Sequence, residues 1–141
     1  LHGLLRRQRQ MCIRDSRGHQ PDQLPSTEAL SKAVDFSIEA DVECTLINCS
    51  HADMASNSIK ELKRASRFGI FANSSTFKEV DLSVATKDVD AIHHLNSEEI
   101  SAKEYAMIAL SWAKEGAFVV GGCCGTTVEH TREIKLLMDS L

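Results

Sequence analysis

The chain has 141 residues, 43% of them hydrophobic and 26% charged, with a net charge of −4. That length suits one domain, and the apolar share is enough for a core. The acidic balance makes no case for nucleic acid as a partner, and no apolar run approaches the roughly 18 residues of a membrane span.

The charge is uneven. Residues 1–17 hold five arginines and one aspartate, net +4, which leaves −8 for the rest. Residues 1–16 start without methionine and show no sustained apolar period. A basic arm is one reading, and an Arg-rich, acid-poor transit peptide is another. The reading adopted here is that the stretch is non-native or disordered, because Met11-Cys12-Ile13-Arg14-Asp15-Ser16 resembles a translated adapter remnant. Cys12 then has no role, and residues 17–141 carry the fold.

From Gly18 to Pro25 the composition is turn-like. Ser26 is a candidate N-cap for a helix to about Ala40, with Leu30, Val34 and Ile38 repeating every four residues. Val42 to Cys49 reads as a strand with nearly continuous apolar residues, as expected where both faces of a parallel sheet are covered. A loop rich in Ser, Ala and Asn follows. Ile59 to Phe68 then has helical spacing, and Gly69 to Asn73 is a short apolar strand. Ser74 to Asn96 is long and polar with no clear element. Ser101 and Glu104 form a capping box for a helix to about Glu115, which Gly116 stops. A third strand runs to Val120, and Thr126 with Glu129 is a second capping box opening the last helix. Strands alternating with helices imply an α/β fold with a parallel sheet.

Chemistry concentrates in Gly121-Gly122-Cys123-Cys124-Gly125-Thr126-Thr127, a strand-to-helix turn with two adjacent thiols. Such turns lie at the C-terminal strand ends, where α/β proteins build their sites. Neighbouring side chains on a strand point to opposite faces. Both sulfurs therefore converge only if the chain leaves strand geometry, which the three glycines permit. Cys49 ends another strand on the same rim. Three thiols widely separated in sequence do not make a zinc finger; they suit a three-sulfur site with one position left open, the arrangement of a catalytic Zn(II). Cys44 lies inside its strand and reads as core. His130 reads as a solvated helix position, with a hydrogen bond behind the site as the alternative. His93-His94 reads as loop surface. With no short cysteine spacing and no secretory signal, the five cysteines suggest a reducing compartment, the cytoplasm by default.

Asn48-Cys49-Ser50, Gly121 to Thr127 and the following Glu129-His130 resemble the zinc-dependent homocysteine S-methyltransferases. Phe71-Ala72-Asn73-Ser74-Ser75 is similar to that family's penultimate barrel-strand end, and Tyr105, Trp112 and Gly116 fall where the family has similar residues. The resemblance covers roughly residues 24–141. It departs from the pattern at His51-Ala52-Asp53, where a proline is usual, and at Val128 and Thr131, where proline and isoleucine are usual. The resemblance implies the C-terminal part of a (β/α)8 TIM barrel, truncated, since three strands do not close a barrel that needs eight. It implies Zn(II) held by Cys49, Cys123 and Cys124 and methyl transfer to the thiol of homocysteine. It implies a small methyl donor, a sulfonium or similar activated compound with S-methylmethionine and S-adenosylmethionine as the candidates, and the sequence does not name which. Asn48 and Asn73 stand at strand ends facing the presumed pocket, where they either bind the amino-acid end of the substrate or form turns. The alternative to an enzyme is a metal-binding fragment that turns nothing over, and the isolated chain is expected to be inactive.

Overall fold

The computed structural model describes residues 10–14, 29–77 and 97–140. Four strands form one sheet: β1 (Gln10–Arg14), β2 (Cys44–His51), β3 (Phe68–Asn73) and β6 (Val119–Gly122), in that order and parallel throughout. Between them run α1 (Leu30–Glu39), α2 (Ala52–Asn57), α3 (Ile59–Leu62) and α4 (Ala102–Lys114), and α5 (Val128–Met138) closes the chain. A short antiparallel ribbon, β4 (Ser75–Phe77) with β5 (Ser97–Glu99), rises from the end of β3. Parallel strands that follow one another in order through helices place all their C-terminal ends on one rim.

β2 and β3 are buried along almost their whole length, as covered parallel strands must be. Ile47 and Ile70 pair across them, and both are fully buried. Tyr105, Ala109 and Trp112 of α4 and Ile134 of α5 pack over the same core. Among the described residues no helix is long and apolar enough to cross a membrane.

Several boundaries differ from those read in the sequence, each for a physical reason. Residues 10–14 do not stand apart from the fold. They lie beside β2 in register, Gln10 opposite Cys44 and Arg14 opposite Asn48. The sheet therefore has four strands, not three; the arginines that mark the leader as foreign do not prevent its β-prone Met-Cys-Ile centre from joining a backbone ladder. α1 starts at Leu30 with Ala29 as its cap residue and no side-chain cap; Ser26 lies outside the described residues. Its inward face is Leu30, Val34 and Ser37, while Ile38 is 48% exposed. A helix advances about 100° per residue, so a strict four-residue repeat drifts out of the face by Ile38, whereas Ser37 stays within it. Ser37 is buried without penalty: its hydroxyl donates to Val34 O at 2.7 Å and accepts from Thr45 Oγ1 at 2.8 Å.

The Ser-, Ala- and Asn-rich stretch expected to be a loop is the helix α2. Ala52, Met54 and Ala55 face the core, while Ser56 and Ser58 fold their hydroxyls onto Ala52 O and Met54 O. The helix expected from Ile59 to Phe68 ends at Leu62, and β3 begins at Phe68. β2 and β6 each run two residues further than expected, to His51 and Gly122. The capping box at Ser101 and Glu104 is present, the Glu104 amide donating to Ser101 Oγ at 3.3 Å and the Ser101 amide to Glu104 Oε2 at 3.0 Å. Gly116, at φ 99°, ends α4. Its amide donates to Ala113 O, and that of Ala117 to Trp112 O, the two bonds of a glycine-terminated helix end.

Candidate metal centre

Three chain segments meet at the C-terminal rim. The first is the end of β2. Between Asn48 and His51 this strand takes three steps while β3 takes two, from Phe71 to Asn73, so β2 carries one extra residue. Cys49 sits in that bulge with φ 62°, a left-handed conformation that a non-glycine residue adopts only when its surroundings hold it there. Because Cys49 leaves strand geometry, its side chain is freed from the alternation of β2.

The second segment is the turn after β6. The strand ends at Gly122, and Cys123 and Cys124 follow in the turn. Gly122 has no room for a side chain, since a Cβ there would lie 2.4 to 2.6 Å from the side chain of Thr126. Thr126 Oγ1 donates to Cys123 O at 2.7 Å. That bond takes the hydroxyl expected to cap the last helix, and the cap falls one residue later. The Thr127 amide donates to His130 Nδ1 at 3.1 Å. Nδ1 is therefore an acceptor, and the ring proton sits on Nε2, which is buried with no hydrogen-bond partner among the described residues and belongs to a ring edge-on to Tyr105. His130 is a capping residue rather than a free solvated one.

The third segment is the end of β3, which laces the other two together. Ala72 O accepts from the Cys123 amide at 2.8 Å, and the Ser74 amide donates to Cys124 O at 3.0 Å. Asn73 accepts from the Cys124 amide through Oδ1 at 3.1 Å and donates from Nδ2 to Cys49 O at 3.3 Å. Below them the Tyr105 hydroxyl lies 2.8 Å from both Ala72 O and Gly121 O. Burial raises the Tyr105 phenol well above its ordinary value, so it remains a donor.

The outcome is a cluster of sulfurs. Cys49 Sγ lies 3.9 Å from Cys124 Sγ, and Cys123 Sγ lies 4.0 Å from Cys124 Sγ. All three lie within 4.8 Å of one another, Cys49 buried, Cys123 half-buried and Cys124 exposed. A tetrahedral zinc with Zn–S bonds of about 2.3 Å spaces its sulfurs about 3.8 Å apart. The cluster thus fits the ion with shifts of an ångström or less, and its three soft donors suit zinc. Burial, then the neighbouring Cys123 and Cys124, pushes the Cys49 thiol up to about 12. A thiol held protonated among two others is one that a dication would convert to thiolate on binding.

The residue-matching profile of the homocysteine S-methyltransferases covers residues 9–138. The chain belongs to this family. No curated protein sequence matches it. Among solved structures it is similar to the homocysteine methyltransferase MmuM from Escherichia coli in its oxidized form, at 18% identity and a TM-score of 0.54. The match covers 90% of this chain and 35% of that one, so the chain spans about a third of the solved relative's length. At that identity the likeness speaks for the fold: an open, parallel part of a (β/α)8 barrel.

Cys49, Cys123 and Cys124, singled out in the sequence, are brought together. Cys44 is buried at the start of β2. Asn48 is half-buried beside Cys49, and Asn73 is buried against the backbone of the cysteine segments. His93, His94 and the expected polar connection beyond Phe77 lie outside the described residues. The hydroxyl of Tyr105 is the feature the sequence reading passed over. It sits four residues after a recognised cap residue, on the buried face of α4, where a tyrosine needs a polar partner.

Proposed function

We propose that this chain carries the zinc-binding end of a homocysteine S-methyltransferase, which moves a methyl group onto the sulfur of homocysteine to give methionine. The observation that carries the reading is the convergence of the Cys49, Cys123 and Cys124 sulfurs at two strand ends in a member of this family. A zinc ion bound there supplies Lewis acidity that leaves the substrate thiol as its thiolate at neutral pH. As thiolates, Cys49, Cys123 and Cys124 bring three negative charges, one more than a divalent ion balances, which keeps the substrate sulfur electron-rich. Cys49 closes the buried side of the cluster, and the exposure of Cys124 leaves the other side open to substrate. Asn48 and Asn73 are the proposed contacts for the amino-acid end. Asn73 retains one donor and one acceptor position beyond the two it uses. A new S–CH3 bond forms on homocysteine as the donor's S–CH3 bond breaks, and a sulfonium such as S-methylmethionine or S-adenosylmethionine leaves as a neutral thioether. The free thiols fit a reducing compartment, and the cytoplasm is the proposed location.

The open four-stranded sheet favours a second reading for these 141 residues taken alone: a metal-binding piece without turnover. The test uses protein purified under reducing conditions with zinc, assayed for metal and for methyl transfer from either sulfonium. The expected result is one zinc per chain and no transfer, with transfer appearing when the residues are joined to the remaining strands of a family barrel. Turnover by the chain alone would remove the second reading. A zinc-loaded fusion that stays inactive would remove the first.

A further inference from the structure

Asn73 closes β3 with 5% of its surface exposed, between the two segments that carry the cysteines. Its amide is used at both ends, Nδ2 donating to Cys49 O at 3.3 Å and Oδ1 accepting from the Cys124 amide at 3.1 Å. The orientation is forced, because a main-chain carbonyl only accepts and a main-chain N–H only donates.

Neither Cys49 nor Cys124 has a paired register position among the described residues of the sheet. Cys49 lies in the bulge, where β2 has slipped one residue against β3 and the ladder is interrupted. Cys124 lies two residues beyond Gly122, the last position of β6 paired with β3. A buried polar group left without a partner costs about 1–3 kcal/mol, so each needs a substitute for its ladder bond. A single side chain supplies both. The residues it joins in this way are the ones whose Sγ atoms stand 3.9 Å apart.

We infer that Asn73 is a positioning residue, which sets the separation of Cys49 and Cys124 by clamping the main chain behind each of them. The inference deepens the zinc reading and rests on it for its purpose, but the clamp itself is made by protein groups alone. Two hydrogen bonds from one short, buried side chain leave the two cysteines little freedom to separate, and a metal cluster gains affinity when its donors are held in place beforehand.

The test compares the parent with Asn73→Leu, similar in size and unable to bond either segment, and with Asn73→Asp, which still accepts from the Cys124 amide but cannot donate to Cys49 O. Two readouts are taken, with circular dichroism as the check of folding. The first is cobalt(II) titration, following the sulfur-to-cobalt charge-transfer and ligand-field bands, with zinc affinity measured against a chromophoric chelator. The second is made without metal in a Cys123→Ser background: capture of Cys49 and Cys124 together by phenylarsine oxide, which bridges two nearby thiols, read by intact mass. Asn73→Leu is expected to bind zinc roughly 10–100-fold more weakly, as usual when a group behind a metal ligand is lost. It should also shift the ligand-field bands and lose arsenical capture by a similar factor. Asn73→Asp should fall between it and the parent, and decides the matter if the leucine variant does not fold. Capture and cobalt bands unchanged in the variants overturn the inference while leaving the zinc reading intact. Capture that depends on Asn73 in a parent that takes up no cobalt supports the clamp and removes the zinc reading.

Discussion

Replacing Cys124 by serine is the sharpest perturbation of the candidate metal centre, because its sulfur lies within about 4 Å of both others. Serine keeps the size but does not ionise at neutral pH, so two thiolates remain where three stood. The consequence for stability follows from mass action. With free zinc at one hundred times Kd, binding adds about 2.7 kcal/mol, worth a rise of roughly 10 °C in Tm for a chain of this length. If losing Cys124 weakens binding one-hundred-fold, the same zinc adds about 0.4 kcal/mol, and the rise shrinks to roughly 2 °C or less. The assay is the change in Tm on adding zinc to chelator-treated, reduced protein, paired with metal analysis after gel filtration. Reading the change rather than the Tm itself cancels whatever the substitution does to the metal-free fold. Cys44→Ser is the control: it alters a buried thiol at the far end of β2 and should retain the full rise. The reasoning fails if Cys124→Ser keeps the parental rise, or if Cys44→Ser loses it.

Two further outcomes are expected. In the metal-free chain the Cys49 thiol is raised to about 12, against an ordinary value near 8.5–9, so the folded state favours its protonated form. The stability linked to it is complete below about pH 9 and drains away towards pH 12. Cys44 and Tyr105 are raised as well and act with the same sign. Cys49→Ala should therefore lose less stability than the parent between pH 9 and 11, measured by urea unfolding in chelator and reductant; parallel curves would show that burial of this thiol has no energetic consequence. Deleting residues 1–16 removes β1 and bares the outer edge of β2. We expect Tm to fall by several degrees, about 1 kcal/mol or more, and an unchanged Tm would return the leader to the foreign status its sequence suggests.

The alternation of strands and helices was legible because the cores of β2 and β3 are apolar and α4 carries a clear cap and stop. Ser101, Glu104 and Gly116 announce the ends of α4, and the structure uses all three. The Cys123-Cys124 pair was legible from residue type and position, and Cys49 from that pair together with the family resemblance. Other features were hidden by competing signals. Ser56 in α2 and Ser58 at its end look like loop residues until their hydroxyls are seen to bond back along the helix, with Ser56 also accepting from Trp112 Nε1 at 2.7 Å. Thr126 with Glu129 matched the capping-box motif, yet its hydroxyl goes to Cys123 O, a partner no local pattern announces, and Thr127 caps the helix instead. β1 was obscured by the arginines around it, although strand pairing is satisfied by backbone groups whatever the flanking charge.

The deeper difference lies between ligand identity and ligand placement. Glycine marked the turn at Cys123 and Cys124 in advance, and Gly125 takes φ 75° beside them. Nothing marked Cys49, which reaches the left-handed region without glycine's freedom. Such a residue carries strain on the order of 1–3 kcal/mol and persists only where its surroundings over-determine it. Here the surroundings are identifiable: the one-residue slip of β2 on β3, and the hydrogen bond from Asn73 to Cys49 O. Both lie at the end of the strands that the buried pair Ile47 and Ile70 and the core face of α4 hold together. The left-handed conformation of Cys49 is thus met by contacts within the chain itself. They hold Cys49 in a cluster whose three sulfurs lie within 4.8 Å of one another.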